Sequence, residues 1–328
     1  MAELAGTGPF ETALDEVDTR QVTVDSNGRV QVFDRDGRRT RTLWFSSSDA
    51  IVRVLDRWLK ASGSPRGDAA TVRTTLRDGT RVSAVFPPLA ATGAIVTVER
   101  GGAAASLADR VSAGALPQAA AQLLAQALLA RRNIVVSGPS GSGRSTMLAS
   151  LATSIAPTDR CVALDASGAL GALLTGVSVI AAGGDWAGAV SAAMQARPQR
   201  WVVDGTNEAT APAIVGMMVT GSDGVLCTTD GASPAMALGR LASLAATPGG
   251  ATRDEVLGRF AGARPLVVQL ARLGDGSVCV AAIAEANTTE TGALRIDALF
   301  ALKVAGTDAS GRLDASLAAT GTKASFAG

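Results

Sequence analysis

The sequence contains no histidine. Histidine is the side chain that most often serves as a general base near neutral pH, and it is the commonest metal ligand among protein side chains. Any catalysis by this chain must therefore use carboxylates, arginines, hydroxyl groups or a bound magnesium ion.

Cysteines and aromatic residues are also scarce. The three cysteines, Cys161, Cys227 and Cys279, lie far apart in apolar stretches without metal-ligand spacing, so we expect buried free thiols. Aromatic residues make up 3% of the chain although apolar residues make up 47%. The core must therefore rely on small side chains and on close approach of the backbone.

Strong charge and long apolar runs are missing as well. A net charge of +1 gives no electrostatic reason to expect nucleic acid or an anionic membrane as a partner. No uninterrupted apolar run reaches the roughly eighteen residues of a membrane span. The first residues lack the basic and apolar segments of a signal peptide, so we expect a cytoplasmic protein.

One stretch has the pattern of a phosphate-binding loop. A short buried strand, Ile134–Ser137, leads into a glycine-rich turn, and a helix is predicted from Ser145. Glycines let backbone N–H groups wrap round a polyphosphate, while the new helix directs its positive end at the same anion. The predicted loop comprises Gly138, Pro139, Ser140, Gly141, Ser142, Gly143, Arg144, Ser145 and Thr146.

Arg144 stands where the phosphate-loop pattern has lysine. Lysine is a compact point charge, whereas arginine is a longer planar fork with a different geometry. We expect nucleotide binding to survive this change better than hydrolysis. The alternative is a glycine-rich strand-to-helix turn that binds no ligand.

Hydrophobic periodicity predicts a small α+β unit before the loop and alternating strands and helices after it. The first part is expected to hold a hairpin (Gln21–Val24 and Arg29–Phe33), a helix (Ser47–Ala61), a second hairpin that turns at Asp78-Gly79 (Thr71–Leu76 and Arg81–Phe86), and a strand (Ala94–Val98). Alternating strands and helices predict an α/β fold with a mostly parallel sheet. The predicted elements after the loop are strands at Cys161–Leu164, Trp201–Val203 and Gly224–Thr228 and helices at Trp186–Ala196 and Ala211–Thr220.

Several motifs in order carry a family resemblance, which covers nearly the whole chain. They are Arg77–Leu89, the phosphate loop, Gln195–Gly205, Thr220–Thr229 and Ser233–Leu241. Together they resemble the type II/type IV secretion and pilus traffic ATPases, most closely the tight-adherence (Tad) pilus branch. The resemblance implies an N-terminal α+β domain (1–103), a linker (104–116), a RecA-like P-loop domain (117–305) that ends in a small closing sheet, and a flexible tail (306–328).

The acidic motifs of the resembled family are altered here. The family's Gly-Glu corresponds to Asp204-Gly205, so the acid has moved by one strand residue and can point to the other face of the sheet. Asp204 either still serves in catalysis and magnesium binding or is a strand-end carboxylate. The family's Glu-Asp pair corresponds to Asp165-Ala166, and Asp165 is either the remaining catalytic carboxylate or a turn residue.

Basic groups of the family pattern are changed too. Asp230 stands where the family has histidine, and an anion there would repel the charge that develops during phosphoryl transfer. Arg81 and Arg197 match family arginines that approach the phosphates, while a third such position is Thr75. Each matching arginine has the alternative role of a surface salt bridge.

Since all these changes weaken one reaction, we hypothesise a degenerate traffic ATPase that binds ATP and Mg²⁺ with little or no hydrolysis. The resemblance implies a ring hexamer, made with itself or with an active paralogue, and partners among the inner-membrane components of a pilus or secretion machine. In this hypothesis Asp165 and Asp204 are the catalytic candidates, and Ser145 and Asp204 hold the metal. The rival hypothesis is a slow but active motor, and a small-molecule kinase has little support because no acceptor lid is visible.

Overall fold

The computed structural model of the chain describes residues 3, 6–16, 19–34, 39–63, 65–76, 80–100, 104–165, 169–174, 177–181, 185–219, 224–247, 250–307 and 313–326. The chain divides into two compact units. The first comprises Met1–Ala103 and Ser167–Leu173, and the second comprises Ala104–Ala166 and Leu174–Gly328. The predicted phosphate loop therefore lies in the second unit.

A six-stranded sheet of order β3-β2-β1-β6-β5-β4 forms the base of the first unit. All neighbouring strands in it are antiparallel. The elements are α1 (Pro9–Asp15), β1 (Gln21–Val24), β2 (Arg29–Phe33), β3 (Arg39–Trp44), α2 (Ser48–Ala61), β4 (Thr71–Thr75), β5 (Arg81–Val85) and β6 (Ile95–Glu99).

Helix α2 supplies much of the core of this unit. It begins at Ser47, whose hydroxyl accepts a hydrogen bond from the Ala50 N–H. Its buried face packs with alternate residues of the sheet, so the first unit has a hydrophobic core of its own. The largest buried side chains of the helix are Ile51, Leu55 and Leu59.

Both predicted hairpins and the predicted helix of the first unit are confirmed, and its last strand lies one residue later than predicted. The predicted turn at Asp78-Gly79 lies outside the described residues. Sequence analysis missed β3, because its Arg and Thr side chains are mostly exposed and give no apolar alternation. It also missed the two-turn helix α1, which buries only Phe10 and Ala13.

The second unit is organised around a nine-stranded sheet of order β15-β14-β13-β12-β7-β11-β10-β8-β9. Its elements up to the middle of the chain are α3 (Leu107–Ser112), α4 (Gln118–Leu129), β7 (Ile134–Gly138), α5 (Arg144–Ala152) and β8 (Cys161–Asp165). Then come α6 (Ala169–Leu173, grouped with the first unit), β9 (Ser178–Ala181), α7 (Trp186–Gln195), β10 (Arg200–Asp204), α8 (Ala211–Val219), β11 (Val225–Asp230), α9 (Pro234–Ala245), α10 (Arg253–Ala263), β12 (Leu266–Arg272), β13 (Val278–Thr288), β14 (Leu294–Thr307) and β15 (Leu313–Ala319).

The strands from β9 to β12 in this order run parallel, as the alternation of strands and helices predicts. The strands β12, β13, β14 and β15 continue the same sheet in antiparallel pairs. The strands expected in the small closing sheet are therefore present as the antiparallel part of this nine-stranded sheet. Strand β12 joins the two parts because it pairs with β7 on one side and with β13 on the other.

The predicted flexible tail (306–328) is also corrected. Strand β15 pairs with β14, and beyond it the backbone N–H of Ser325 donates to the buried carboxylate of Glu285 at 2.9 Å. Arg132 donates to the same carboxylate at 3.2 Å. The pairing of β15 with β14 and the hydrogen bond from Ser325 to Glu285 hold this segment in place. Its Ala-rich composition gave no sequence signal for either interaction.

The expected linker (104–116) contains helix α3, which the sequence analysis missed. Ser106 and Asp109 form a capping box, in which each side chain bonds the backbone N–H of the other residue. From this helix Arg110 donates to the Ser150 hydroxyl at 2.7 Å and to the Thr146 carbonyl at 3.2 Å. Residues 104–116 thus belong to the second unit and are fastened to helix α5.

Two of the three cysteines are buried free thiols, as predicted, and Cys279 is half-buried. Burial raises the pKa of Cys161 and of Cys227 to about 12, so both thiols stay protonated and unreactive at neutral pH. Among the described residues, no helix combines the length and the apolar character needed to cross a bilayer.

Candidate functional site: a phosphate loop with an internal ion pair

The glycine-rich loop joins β7 to α5 as predicted. Strand β7 is buried along its whole length and ends at Gly138, where an added Cβ would lie 2.8 Å from the Leu270 carbonyl oxygen. Gly143 precedes the helix with φ 83°, a backbone conformation that favours glycine. No side chain caps α5, so the N–H groups of its first turn remain available to an anion in the loop.

Arg144 is paired within the protein. Its guanidinium donates to the carbonyl oxygen of Gly138 at 3.0 Å and forms a close ion pair with Asp230. Asp230 ends strand β11 and is the register partner of Gly138 on β7. Arg240 lies on the other side of the same carboxylate, with 3.6 Å between Nη2 and Oδ2. The two residues that replace the pattern's lysine and histidine therefore bind each other.

Asp204 lies against the helix that follows the loop. It is the last residue of β10 and is buried, and its carboxylate interacts with the hydroxyl groups of Ser145 and Thr228. Thr228 donates to Asp204 at 2.8 Å and accepts the Gly205 N–H at 2.7 Å. Moving the acid by one residue thus leaves it in contact with the loop's serine.

Asp165 and Asp204 are neighbours on adjacent parallel strands. They are register partners, so their side chains lie on the same face of the sheet, and both are buried. Burial raises the pKa of Asp204, the hydrogen bonds from Ser145 and Thr228 lower it, and the charge of Asp165 raises it. Residue 166, the site of the family's second acid, lies outside the described residues.

Gly205 follows Asp204 with φ 94°. The family has glutamate at this position, and a residue with a side chain rarely adopts this backbone conformation. The change from glutamate to glycine therefore removes a carboxylate and also allows a backbone conformation that glutamate would rarely adopt.

The two matching arginines lie in different units of the chain. Arg81 lies in the first unit, where it forms an ion pair with Glu99. Arg197 is exposed and precedes β10, whereas the loop follows the end of β7, which runs in the same direction in the sheet. Within one copy of the chain, Arg197 therefore lies at the amino ends of the parallel strands, whereas the loop lies at their carboxyl ends. Thr75 ends β4 in the first unit.

Three residues of the site were missed by sequence analysis. They are Thr228, which bridges Asp204 and Gly205; Arg110, which holds the Thr146 carbonyl; and Arg272, which donates to the Gly141 carbonyl at 2.8 Å. Thr228 belongs to a motif that the sequence shows, but Arg110 and Arg272 are far from the loop along the chain. Only the folded backbone brings these two arginines to it.

The arrangement has the parts that ATP and Mg²⁺ require. The first turn of α5 has no side-chain cap, and the Ser142 hydroxyl is buried without a hydrogen-bond partner in the structure. Ser145 and Asp204 place a hydroxyl and a carboxylate oxygen together, a donor set that suits Mg²⁺. No group of three or more Cys, Asp or Glu residues that could hold a metal alone was found among the described residues, so an ion here would also need phosphate oxygens.

The family model described as "Type II/IV secretion system protein" matches residues 72–281, which is more than half of the chain and includes the loop, Asp165, Asp204 and Asp230. The chain belongs to this type II/IV secretion family. A candidate conjugal transfer protein of Mycobacterium tuberculosis is 28% identical over 305 residues, which is 88% of this chain and 86% of the relative.

Solved structures of similar fold include an ATPase and a pilus retraction motor. The ATPase DotB of Legionella pneumophila aligns with a TM-score of 0.60 and 16% identity over 86% of this chain and 80% of its own. The pilus retraction motor PilT with bound ADP aligns with a TM-score of 0.59 and 14% identity over 87% of this chain and 84% of its own. These likenesses show the fold, an N-terminal domain followed by a RecA-like domain.

Proposed function

We propose that the chain is a nucleotide-binding subunit of a secretion, conjugation or Tad-type pilus machine, in which ATP hydrolysis is weak or lost. The observation that carries this proposal is the ion pair between Arg144 and Asp230. In this pair, Asp230 binds the cationic side chain that a phosphate loop directs at the outer phosphates, while the glycine-rich backbone that cradles the inner phosphates is retained.

The roles of the other residues follow from their contacts. Ser145 and Asp204 would hold magnesium, which neutralises phosphate charge when bound. Thr228 orients Asp204 by donating to it, and Arg110 fixes the start of α5 through the Thr146 carbonyl. Asp165, the register partner of Asp204, would orient an attacking water molecule. Gly205 supplies no acid, which is the strongest chemical reason to expect slow turnover.

The test is a calorimetric titration with ATP and Mg²⁺, followed by a phosphate-release assay on the same sample. We expect micromolar binding without release above a protein-free blank. Ser145→Ala should weaken binding, because it removes a hydroxyl from the magnesium set. Release that disappears in Ser145→Ala would instead establish an active ATPase, and no binding would leave only a scaffold.

A slow motor is the second candidate, and the contact between Ser145 and Asp204 favours it because this contact retains a magnesium-binding pair. The double variant Arg144→Lys with Asp230→His restores the family pair without touching the backbone. It should raise turnover of a slow motor and leave a pseudoenzyme inactive. Asp254→His, at a highly exposed position of α10, is the matched control.

Ring assembly is part of the proposal. Arg197 lies at the end of the parallel strands opposite to its own loop. It could therefore contact only a nucleotide that is bound by a neighbouring subunit, either another copy of the chain or an active paralogue. Such a ring would act in the cytoplasm and reach the inner membrane through its partners. Light scattering after size exclusion should give the mass of a hexamer, and a monomer at micromolar concentration with nucleotide would contradict a self-made ring.

A further inference from the structure

The inference concerns which nucleotide the loop prefers, and it rests on the proposed nucleotide binding. In the phosphate-loop pattern, the side chain at position 144 reaches the β- and γ-phosphates. Its head group therefore marks the place of the outer phosphates. Here the Arg144 side chain is 20% exposed, and its guanidinium already has an anionic partner, the carboxylate of Asp230.

A terminal phosphate would meet two obstacles at this place. It must displace Asp230 to bind the Arg144 guanidinium, and any part of it that stays beside Asp230 is repelled by a like charge. Arg240 lies 3.6 Å from the same carboxylate and offsets part of that repulsion, and both side chains of this pair are about half exposed, so solvent weakens the pair. The carbonyl of Gly138 further holds the guanidinium at the start of the loop.

The inner phosphates meet no such obstacle. Their binding groups are the N–H groups of the loop and of the first turn of α5, together with Ser145. None of these groups is engaged by Asp230 in the described structure. A nucleoside diphosphate thus loses only the part of its β-phosphate binding that position 144 would supply, whereas the γ-phosphate of a triphosphate loses this cation and also meets the charge of Asp230.

The geometry points to a site that selects nucleoside diphosphate over triphosphate, with Asp230 taking the place of the terminal phosphate as the anion of Arg144. A subunit of this kind would remain in the diphosphate-bound form while neighbouring subunits turn over. Asp230 is then the residue that determines specificity, and it acts by charge and position.

The experiment compares the dissociation constants of ADP and of a slowly hydrolysed ATP analogue, each with Mg²⁺, by calorimetry. The wild-type chain should bind ADP more tightly than the analogue, and equal affinities would contradict the proposed selectivity. Asp230→Asn removes the charge with little change in size, and it should shift the ratio of the two constants toward the triphosphate by about tenfold, the size of a moderate charge contact. Asp254→Asn makes the same chemical change at a highly exposed site and should leave the ratio unchanged.

Each other outcome decides a separate point. Tighter binding of the triphosphate by the wild-type chain would overturn this inference and leave the proposed nucleotide binding intact. An equal change for both nucleotides in Asp230→Asn would remove Asp230 as the cause. No binding of either nucleotide would overturn both proposals. The wild-type ratio needs no variant, so it decides the selectivity even if Asp230→Asn folds poorly.

Discussion

Asp204 holds a carboxyl group where water hardly reaches, and its burial raises its pKa. A carboxyl group with a raised folded-state pKa favours the protonated folded state. The contribution of Asp204 to stability is therefore fully present below the unfolded pKa of about 3.9 and is lost as the pH rises through the folded pKa. At neutral pH an ionised Asp204 therefore lowers the free energy of unfolding. The contact of Asp204 with Ser145, a predicted magnesium ligand, gives a functional reason for that loss.

Asp204→Asn should therefore stabilise the magnesium-free protein at pH 7, because it removes the cost of an ionised buried carboxyl group. The gain should be smaller at pH 4, close to the unfolded pKa of about 3.9. Urea unfolding with a chelator at both pH values measures the difference, and Asp254→Asn serves as the exposed control. A gain that is the same at both pH values would show that the charge is not the cause.

Gly205 makes a second prediction at this scale. Gly205→Glu restores the family's acid but places a side chain at φ 94°, which should cost about 1–2 kcal/mol and leave turnover low because the carboxylate is not positioned. Gly205→Ala should cost the same, since the backbone is the cause. Thermal melting and phosphate release test both variants. A stable Gly205→Glu variant with faster release would mean that the loop rearranges readily.

Arg200 connects elements of the second unit. It begins β10 and is buried, and it donates to Asp159 at 2.7 Å and to the Leu128 carbonyl at the end of α4 at 2.6 Å. The hydrogen bond from Arg200 is the main reason that the pKa of Asp159 is lowered. The pair joins the start of a central strand to a helix and to the turn before β8.

Asp159→Asn should destabilise the protein by about 3 kcal/mol, because it leaves the buried Arg200 without its anion. The lowered pKa means that this stabilisation is present above the unfolded pKa and is lost as the pH falls through the folded value. Arg131→Ala removes the partner of Asp159 that is 42% exposed and should cost less than about 1 kcal/mol. Denaturant unfolding measures both, and equal losses would contradict the buried role of Arg200.

The elements also show what a sequence can and cannot reveal. The strands beside the loop were predictable because each is a short run of strong β-forming residues, such as Ile134–Ser137, and because these runs alternate with helical segments. Strand β3 was not, because Arg and Thr on an exposed edge give no apolar signal. The ion pair of Arg144 and Asp230 joins residues 86 positions apart, so its two halves could be noted separately but not as a pair.

At the scale of the whole molecule, residues 313–326 complete the second unit. Strand β15 covers the edge of β14, and Ser325 donates both its N–H and its hydroxyl group to Glu285. Without this segment, β14 would become an exposed edge strand and Glu285 would lose the two donors of Ser325, keeping the hydrogen bond from Arg132. Exposed strand edges promote association, and a buried acceptor without donors is costly.

A chain that stops after residue 312 should therefore melt at a lower temperature, lose about 2 kcal/mol or more of stability, and form larger species on size exclusion. Ser325→Ala keeps the backbone donor and the strand, so it should cost less than about 1 kcal/mol. If the shortened chain melts and elutes like the full chain, the segment contributes nothing to the stability of the unit.

The mutual binding of Arg144 and Asp230 also limits the evolutionary history open to this protein. A single reversal, Arg144→Lys or Asp230→His, leaves each side chain with a partner of different geometry or charge. The effects of two residues in direct contact are not additive, so the effect of either reversal should depend on whether the other is also present. A substitution at one of these positions is therefore open to selection only together with the state of the other.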